Sequence, residues 1–265
     1  MTQEWIDPVI FSVGPLQVRW YGAMYVVGFL VGGMLLKYLA NRKFWLAPKE
    51  SIDQYVTWLI FGMFIGARLT YVFVYNWDYY SQNFSDVFSV WKGGLSFHGA
   101  VAGMCVSTWL FARKHGLHFF HVADCMAVAG SPGLFFGRMG NFINGELYGR
   151  VTDSWAGVVF PGGGPFPRHP SQLYEGVLEG IVLFVILFIL HRRQKIYGVT
   201  CSIFLMGYGA FRFVVEFFRE PDTQLGYYLG YFTMGQILCL VMIPISLVML
   251  AYAKKLNLPS VAYRE

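Results

Sequence analysis

Arg138, Asn141, Asn144 and Glu146 lie in one short run with Gly137, Gly140, Gly145 and Gly149, between stretches that are otherwise apolar. Ionisable groups are costly at membrane depth and mark functional sites there. Glycine lets backbone N–H groups come close to a ligand that a side chain would hold off. An arginine, amides and a carboxylate on a glycine-rich backbone suit an anionic, partly lipidic substrate.

A second polar set is spread along the chain as Tyr208, Arg212 and Glu216, spaced by four. Each step of four on an α-helix advances the side chain by about 40°, so the three form one stripe. Arg212 and Glu216 can neutralise one another as an i,i+4 pair, but an intramembrane arginine more often faces a cavity, and that reading is preferred. His98 lies between Gly99 and Phe97 at the start of an apolar stretch. It is either a hydrogen-bonded interfacial residue or an acid–base group, and its glycine-rich setting favours the latter. Arg68 can snorkel, pair with Glu216 or Glu146, or bind a lipid phosphate, and the sequence leaves all three open. Tyr21 follows Trp20 at the edge of the first apolar stretch, where aromatic anchoring is common. Asp124 reads as structural. The four cysteines fall in apolar segments without CxxC spacing and read as small hydrophobes. No second histidine stands at ligand spacing from His98, so a metal site is not expected. No nucleophile-elbow, metalloprotease or phosphate-loop motif is present in the sequence.

These residues need a scaffold that is mostly lipid-facing. Of the 265 residues, 56% are hydrophobic and only 13% charged, with a mean hydropathy of +0.48, which excludes an ordinary soluble surface. The net charge of +5 belongs to short loops and not to basic runs interleaved with exposed aromatics, so nucleic acid is not an expected partner. The N-terminal residues lack a positive n-region, and no cleavable signal peptide is expected. A membrane-crossing helix needs about 20 apolar residues. Residues 20–40, 52–75, 94–112, 119–136, 171–190, 197–218 and 232–253 qualify as seven spans of one polytopic domain, the fourth being the weakest. Basic residues follow the first, third, fifth and seventh (Arg42 and Lys43; Arg113 and Lys114; Arg192 and Arg193; Lys254 and Lys255). By the positive-inside rule the N-terminus is then outside and the C-terminus cytoplasmic. Residues 138–170 form a long irregular outer segment, too rich in Gly and Pro around 160–167 for a helix. Ser171 reads as the cap of the next helix, with Glu175 in its first turn. Apart from the polar groups near the outer ends, no inverted repeat is detected, which disfavours an anionic-lipid transporter or flippase, the other class considered.

The run Gly137-Arg138-x-Gly140-Asn141-Phe142-x-Asn144-Gly145-Glu146-x-x-Gly149 resembles the signature of bacterial prolipoprotein diacylglyceryl transferases. Trp20-Tyr21-Gly22, Ser96-Phe97-His98-Gly99, His169-Pro170-Ser171-Gln172 and Tyr208-Gly209-x-x-Arg212-x-x-x-Glu216 are similar in the same order, and the likeness covers nearly the whole chain. One departure is Ala100 where the family commonly has glycine. The resemblance implies an all-α enzyme of the bacterial inner membrane with its active site toward the outer leaflet. It implies transfer of the diacylglyceryl group of phosphatidylglycerol to the lipobox cysteine of a preprolipoprotein signal peptide, with glycerol phosphate leaving and no metal or cofactor. On that reading Arg138 and Arg212 stabilise the leaving phosphate, His98 is the candidate base and Tyr21 assists. Asn141, Asn144, Glu146, Gly149, Tyr208, Glu216 and Arg68 contact substrate.

Overall fold

The computed structural model describes residues 5–14, 16–89, 91, 93–220, 227–228 and 232–259. The expectation about the N-terminal residues falls in large part outside them. The chain is mostly helical and packs as two compact units, Met1–Tyr38 with Asp124–Glu265, and Leu39–Ala123.

Two antiparallel strands, β1 (Val9–Val13) and β2 (Leu16–Arg19), lead into α1 (Trp20–Asn41). Then come α2 (Ser51–Tyr75), α3 (Trp77–Gln82), α4 (Phe97–Lys114), α5 (Phe119–Asn144), α6 (Ser171–His191), α7 (Val199–Val215) and α8 (Met234–Leu256). Helices stand at all seven expected places. Five of them, α1, α2, α5, α6 and α8, are long and apolar enough to cross a membrane. Helix α7 is apolar but has 17 residues, and α4 has 18.

Helix α5 departs from expectation. The predicted fourth span stops at Phe136, yet the helix continues to Asn144 and carries Arg138, Asn141 and Asn144 on it. Its glycines do not break it, because away from water a helix gains nothing by freeing its backbone groups. Gly140 serves packing instead: a Cβ there would lie 3.0 Å from the Tyr21 ring. The irregular segment starts at Gly145, where φ is +68°, and not at Arg138. Ser171 is also not a cap. Pro170 occupies that position, and the buried Ser171 hydroxyl donates to the Leu147 carbonyl at 3.1 Å.

The opposite end of this unit is tied by Asp124. One carboxylate oxygen accepts the Cys201 N–H at 2.8 Å. The other accepts the Gly198 N–H at 2.8 Å and the Gln194 amide at 3.0 Å. Gly198 has no side chain to cap α7, so a carboxylate from α5 satisfies the orphan donors of its first turn and matches its dipole. The structural role expected for Asp124 is what the geometry provides. Asp124→Ala strands these buried donors and should cost about 3 kcal/mol or more, read as a lower midpoint of thermal unfolding in detergent.

In the second unit α2 and α4 meet backbone to backbone. A Cβ on Gly103 would overlap the Gly62 carbonyl oxygen, and one on Gly99 would overlap that of Gly66. Small residues four apart on both helices are the usual device for close approach in membranes. Ala100, in the first turn of α4, donates its N–H to the Ser96 carbonyl at 2.9 Å. The position needs no positive φ, so alanine replaces the family's glycine without backbone strain.

Candidate active site

Glu175 organises the polar cluster of the first unit. It sits one turn into α6, where Gly176 and Gly180 let α5 approach. A Cβ at 176 would lie 3.4 Å from the Arg138 Cβ, and one at 180 would lie 2.6 Å from the Phe135 Cβ. That contact brings Arg138 beside Glu175, with Nη2 to Oε2 at 2.6 Å. From α7, Arg212 reaches the same oxygen with Nη1 at 2.7 Å. A carboxylate only 1% exposed thus holds two guanidiniums. Arg212 also pairs with Glu216, Nη2 to Oε2 at 3.0 Å. Glu216 accepts the Thr233 hydroxyl at 3.0 Å, and Thr233 is fixed by a reciprocal capping box with Gln236 at the start of α8. Four helices therefore share one ionic network. Each guanidinium carries five N–H donors in a fixed fork, so donors remain for a ligand after these pairs are made.

The i,i+4 pairing of Arg212 with Glu216 is real, but it does not close the arginine off, because its other side meets Glu175. Tyr208 lies one turn before Arg212 in α7 on the same stripe, in the electrostatic field of Arg138, Arg212, Glu175 and Glu179. Beyond Glu175, α6 widens into a π-helical stretch, Gly176–Val182, a rare geometry that recurs at functional sites. Glu179 stands in it, 0% exposed. Among the described residues neither of its oxygens has a hydrogen-bond donor.

The end of α5 forms a second polar group. The Asn141 amide donates to Glu146 Oε1 at 2.9 Å and that of Asn144 to the same atom at 3.3 Å. The Gln172 amide holds the Glu146 carbonyl at 2.6 Å. Glu146 itself is exposed, presented by two asparagines one helical turn apart. Gly149 is pressed against its own chain: its N–H bonds the His169 carbonyl at 2.8 Å, and a Cβ would meet His169 and the Phe218 carbonyl. The close approach it permits is that of residue 218, not of a ligand. Tyr21 packs over Gly140 and its hydroxyl lies 3.0 Å from that of Tyr25.

His98 and Arg68 belong to the other unit. His98 is exposed at the start of α4, with Nδ1 3.4 Å from the Tyr75 hydroxyl. Arg68 is buried and donates to four backbone carbonyls: Val87 at 2.8 Å, Gly93 at 2.7 Å, Gly94 at 3.0 Å and Asp86 at 2.7 Å. It also lies 5.2 Å from the centre of the Tyr80 ring. The guanidinium organises the loop after α3. Arg68→Ala should lower stability by about 3 kcal/mol or more and speed protease cleavage within residues 84–94, while leaving the lipid KM nearly unchanged.

Sequence reasoning missed Glu175 and Glu179. The signal was present: two carboxylates four apart within an apolar span, each followed by a glycine.

Five membrane-length apolar helices, with a pair of arginines held by a buried carboxylate, define a polytopic membrane protein. The family model for prolipoprotein diacylglyceryl transferases matches residues 8–252, and the chain belongs to that family of transferases. Relatives named phosphatidylglycerol–prolipoprotein diacylglyceryl transferase include one from Oleidesulfovibrio alaskensis, 49% identical over 94% of this chain and 94% of its own. Another, from Nitratidesulfovibrio vulgaris, is 50% identical over 91% of this chain and 92% of its own. A third, from Pseudomonas aeruginosa, is 46% identical over 99% of this chain and 100% of its own.

Proposed function

We propose that this chain transfers the sn-1,2-diacylglyceryl group of phosphatidylglycerol to the lipobox cysteine thiol of a preprolipoprotein, forming a thioether and releasing glycerol phosphate. The observation that carries this reading is the Glu175 carboxylate held between Arg138 and Arg212. As the bond between the lipid carbon and the phosphate oxygen breaks, negative charge grows on the phosphate. Two guanidiniums held in place by carboxylates need no reorganisation to meet that charge, and in a water-poor site the stabilisation is large. Asn141 and Asn144 at the end of α5, with Glu146 just beyond it, suit the hydroxyls of the glycerol head group. An apolar recess of about 290 Å³, lined by residues including Pro132, Phe135, Phe136, Gly180, Ile181 and Phe184, adjoins the cluster and suits an acyl chain.

The orientation that goes with this function has seven crossings, the N-terminus outside, the C-terminus in the cytoplasm and the cluster toward the outer leaflet of the bacterial inner membrane. Basic residues in or just after the last turns of α1, α4, α6 and α8 support it. A lipid transporter needs a polar path at both depths. Here the polar groups at the Asp124 end satisfy one another around the start of α7.

The test is to incubate the purified protein with phosphatidylglycerol and a lipobox peptide, measuring glycerol phosphate release and the added peptide mass. A serine-for-cysteine peptide should be inert. No lipidated peptide from the cysteine substrate would overturn the proposal.

A further inference from the structure

The transfer proposed above needs a group to take the thiol proton, and we infer that this group is Glu179. The inference rests on that function. His98 is the residue the sequence suggests; it is exposed, with Nδ1 3.4 Å from the Tyr75 hydroxyl. Glu179 is the carboxylate of the ionic cluster without a hydrogen-bond donor on either oxygen among the described residues. Burying a carboxylate without a donor is costly, and a native structure retains such a group where a partner arrives with the ligand. The charged and titratable groups around it are Glu175, Arg138, Arg212 and Arg219, with Tyr208 also in its field.

Its position suits the task. Helix α6 runs inward from Ser171, so Glu179 lies about 6 Å deeper than Glu175 by helical rise. With phosphate on the arginine pair, the lipid carbon that sulfur attacks is on the acyl side of the phosphate, the side on which Glu179 stands. The head-group hydroxyls point the other way, toward Glu146. Gly180, next in sequence, lines the apolar recess that suits an acyl chain. Arg138 is 22% exposed at its side chain and Glu179 is fully buried. In the step, the S–H proton passes to a Glu179 oxygen as sulfur bonds to the glycerol carbon. The carbon–oxygen bond breaks with its electron pair going to the phosphate oxygen. Glu179 then returns the proton to the departing glycerol phosphate, and the thioether remains.

The test compares cysteine and selenocysteine lipobox peptides on the full-length enzyme in phosphatidylglycerol micelles. A selenol is already ionised at neutral pH and needs no base. For Glu179→Gln, turnover of the cysteine peptide should fall on the order of 10²–10⁴-fold, and the selenocysteine peptide should recover most of it, with little change in lipid KM. Glu179→Asp, which keeps the charge and is the safer variant for folding, should show a smaller loss with the same selective recovery. His98→Gln should affect both peptides alike. Equal losses on the two peptides for both Glu179 variants, full activity of Glu179→Gln, or selective recovery of His98→Gln in their place would each overturn the assignment. Failure of the wild-type enzyme on both peptides would instead overturn the function on which it rests.

Discussion

Glu175→Ala should reduce diacylglyceryl transfer on the order of 10³-fold and destabilise the folded protein by about 3–5 kcal/mol. The reasoning is geometric. Arg138 on α5 and Arg212 on α7 meet one oxygen of Glu175, at 2.6 Å and 2.7 Å. Removing it leaves two guanidiniums facing each other with like charge and no carboxylate between them. They separate, and a displacement of 1 Å in a clamp costs about 10²-fold by itself. Glu175→Asp keeps the charge but shortens the reach by a methylene, so it should retain one ion pair and show an intermediate loss. Glycerol phosphate release gives the rate, and thermal unfolding in detergent gives the stability. A Glu175→Ala protein with turnover within tenfold of wild type would show that the arginine pair is not the centre of the reaction.

Arg212→Lys is expected to lower kcat on the order of 10²–10³-fold, equivalent to about 2.7–4 kcal/mol of lost transition-state stabilisation. Lysine is a single ammonium on a flexible stem and cannot replace the guanidinium fork. Arg212 uses one nitrogen for Glu175 and another for Glu216, and an ammonium cannot span both while also meeting a phosphate. Because the charge on phosphate grows during the reaction, kcat and kcat/KM should fall together, whereas a purely ground-state contact would raise KM alone. Arg138→Lys should be milder, since Arg138 makes one of these ion pairs and is partly exposed. Steady-state kinetics against phosphatidylglycerol, with the peptide saturating, separates these outcomes.

The polar run ending at Gly149 and the stripe Tyr208–Arg212–Glu216 were legible because charge in an apolar context is conspicuous, and helical spacing fixes which residues share a face. What they bind was less legible. Glu175 looked like an ordinary first-turn acid because its partners come from two other helices, and sequence spacing says nothing about pairing between helices. The predicted fourth span ends at Phe136, short of the helix end at Asn144, because the polar, glycine-rich run that follows reads as an outer segment. In a packed membrane helix, glycine marks instead where a neighbour such as Tyr21 presses close. Arg68 shows the converse. The sequence left its role open, and its partners are backbone carbonyls of a loop whose path no local pattern encodes. The two π-helical turns, at Tyr71–Tyr75 and Gly176–Val182, leave no signal in composition.

Helices α5 and α7 are joined twice, by Asp124 at one end and through Glu175 at the other. Helices that span a bilayer tilt to accommodate its thickness. Two rods pinned at both corners can only tilt together, as a braced frame does under shear. The gap between Arg138 and Arg212 is therefore insulated from changes in the surrounding bilayer. On the proposed function, an enzyme whose substrate is the bilayer itself would keep its grip on a phosphate constant while the lipids around it vary in length.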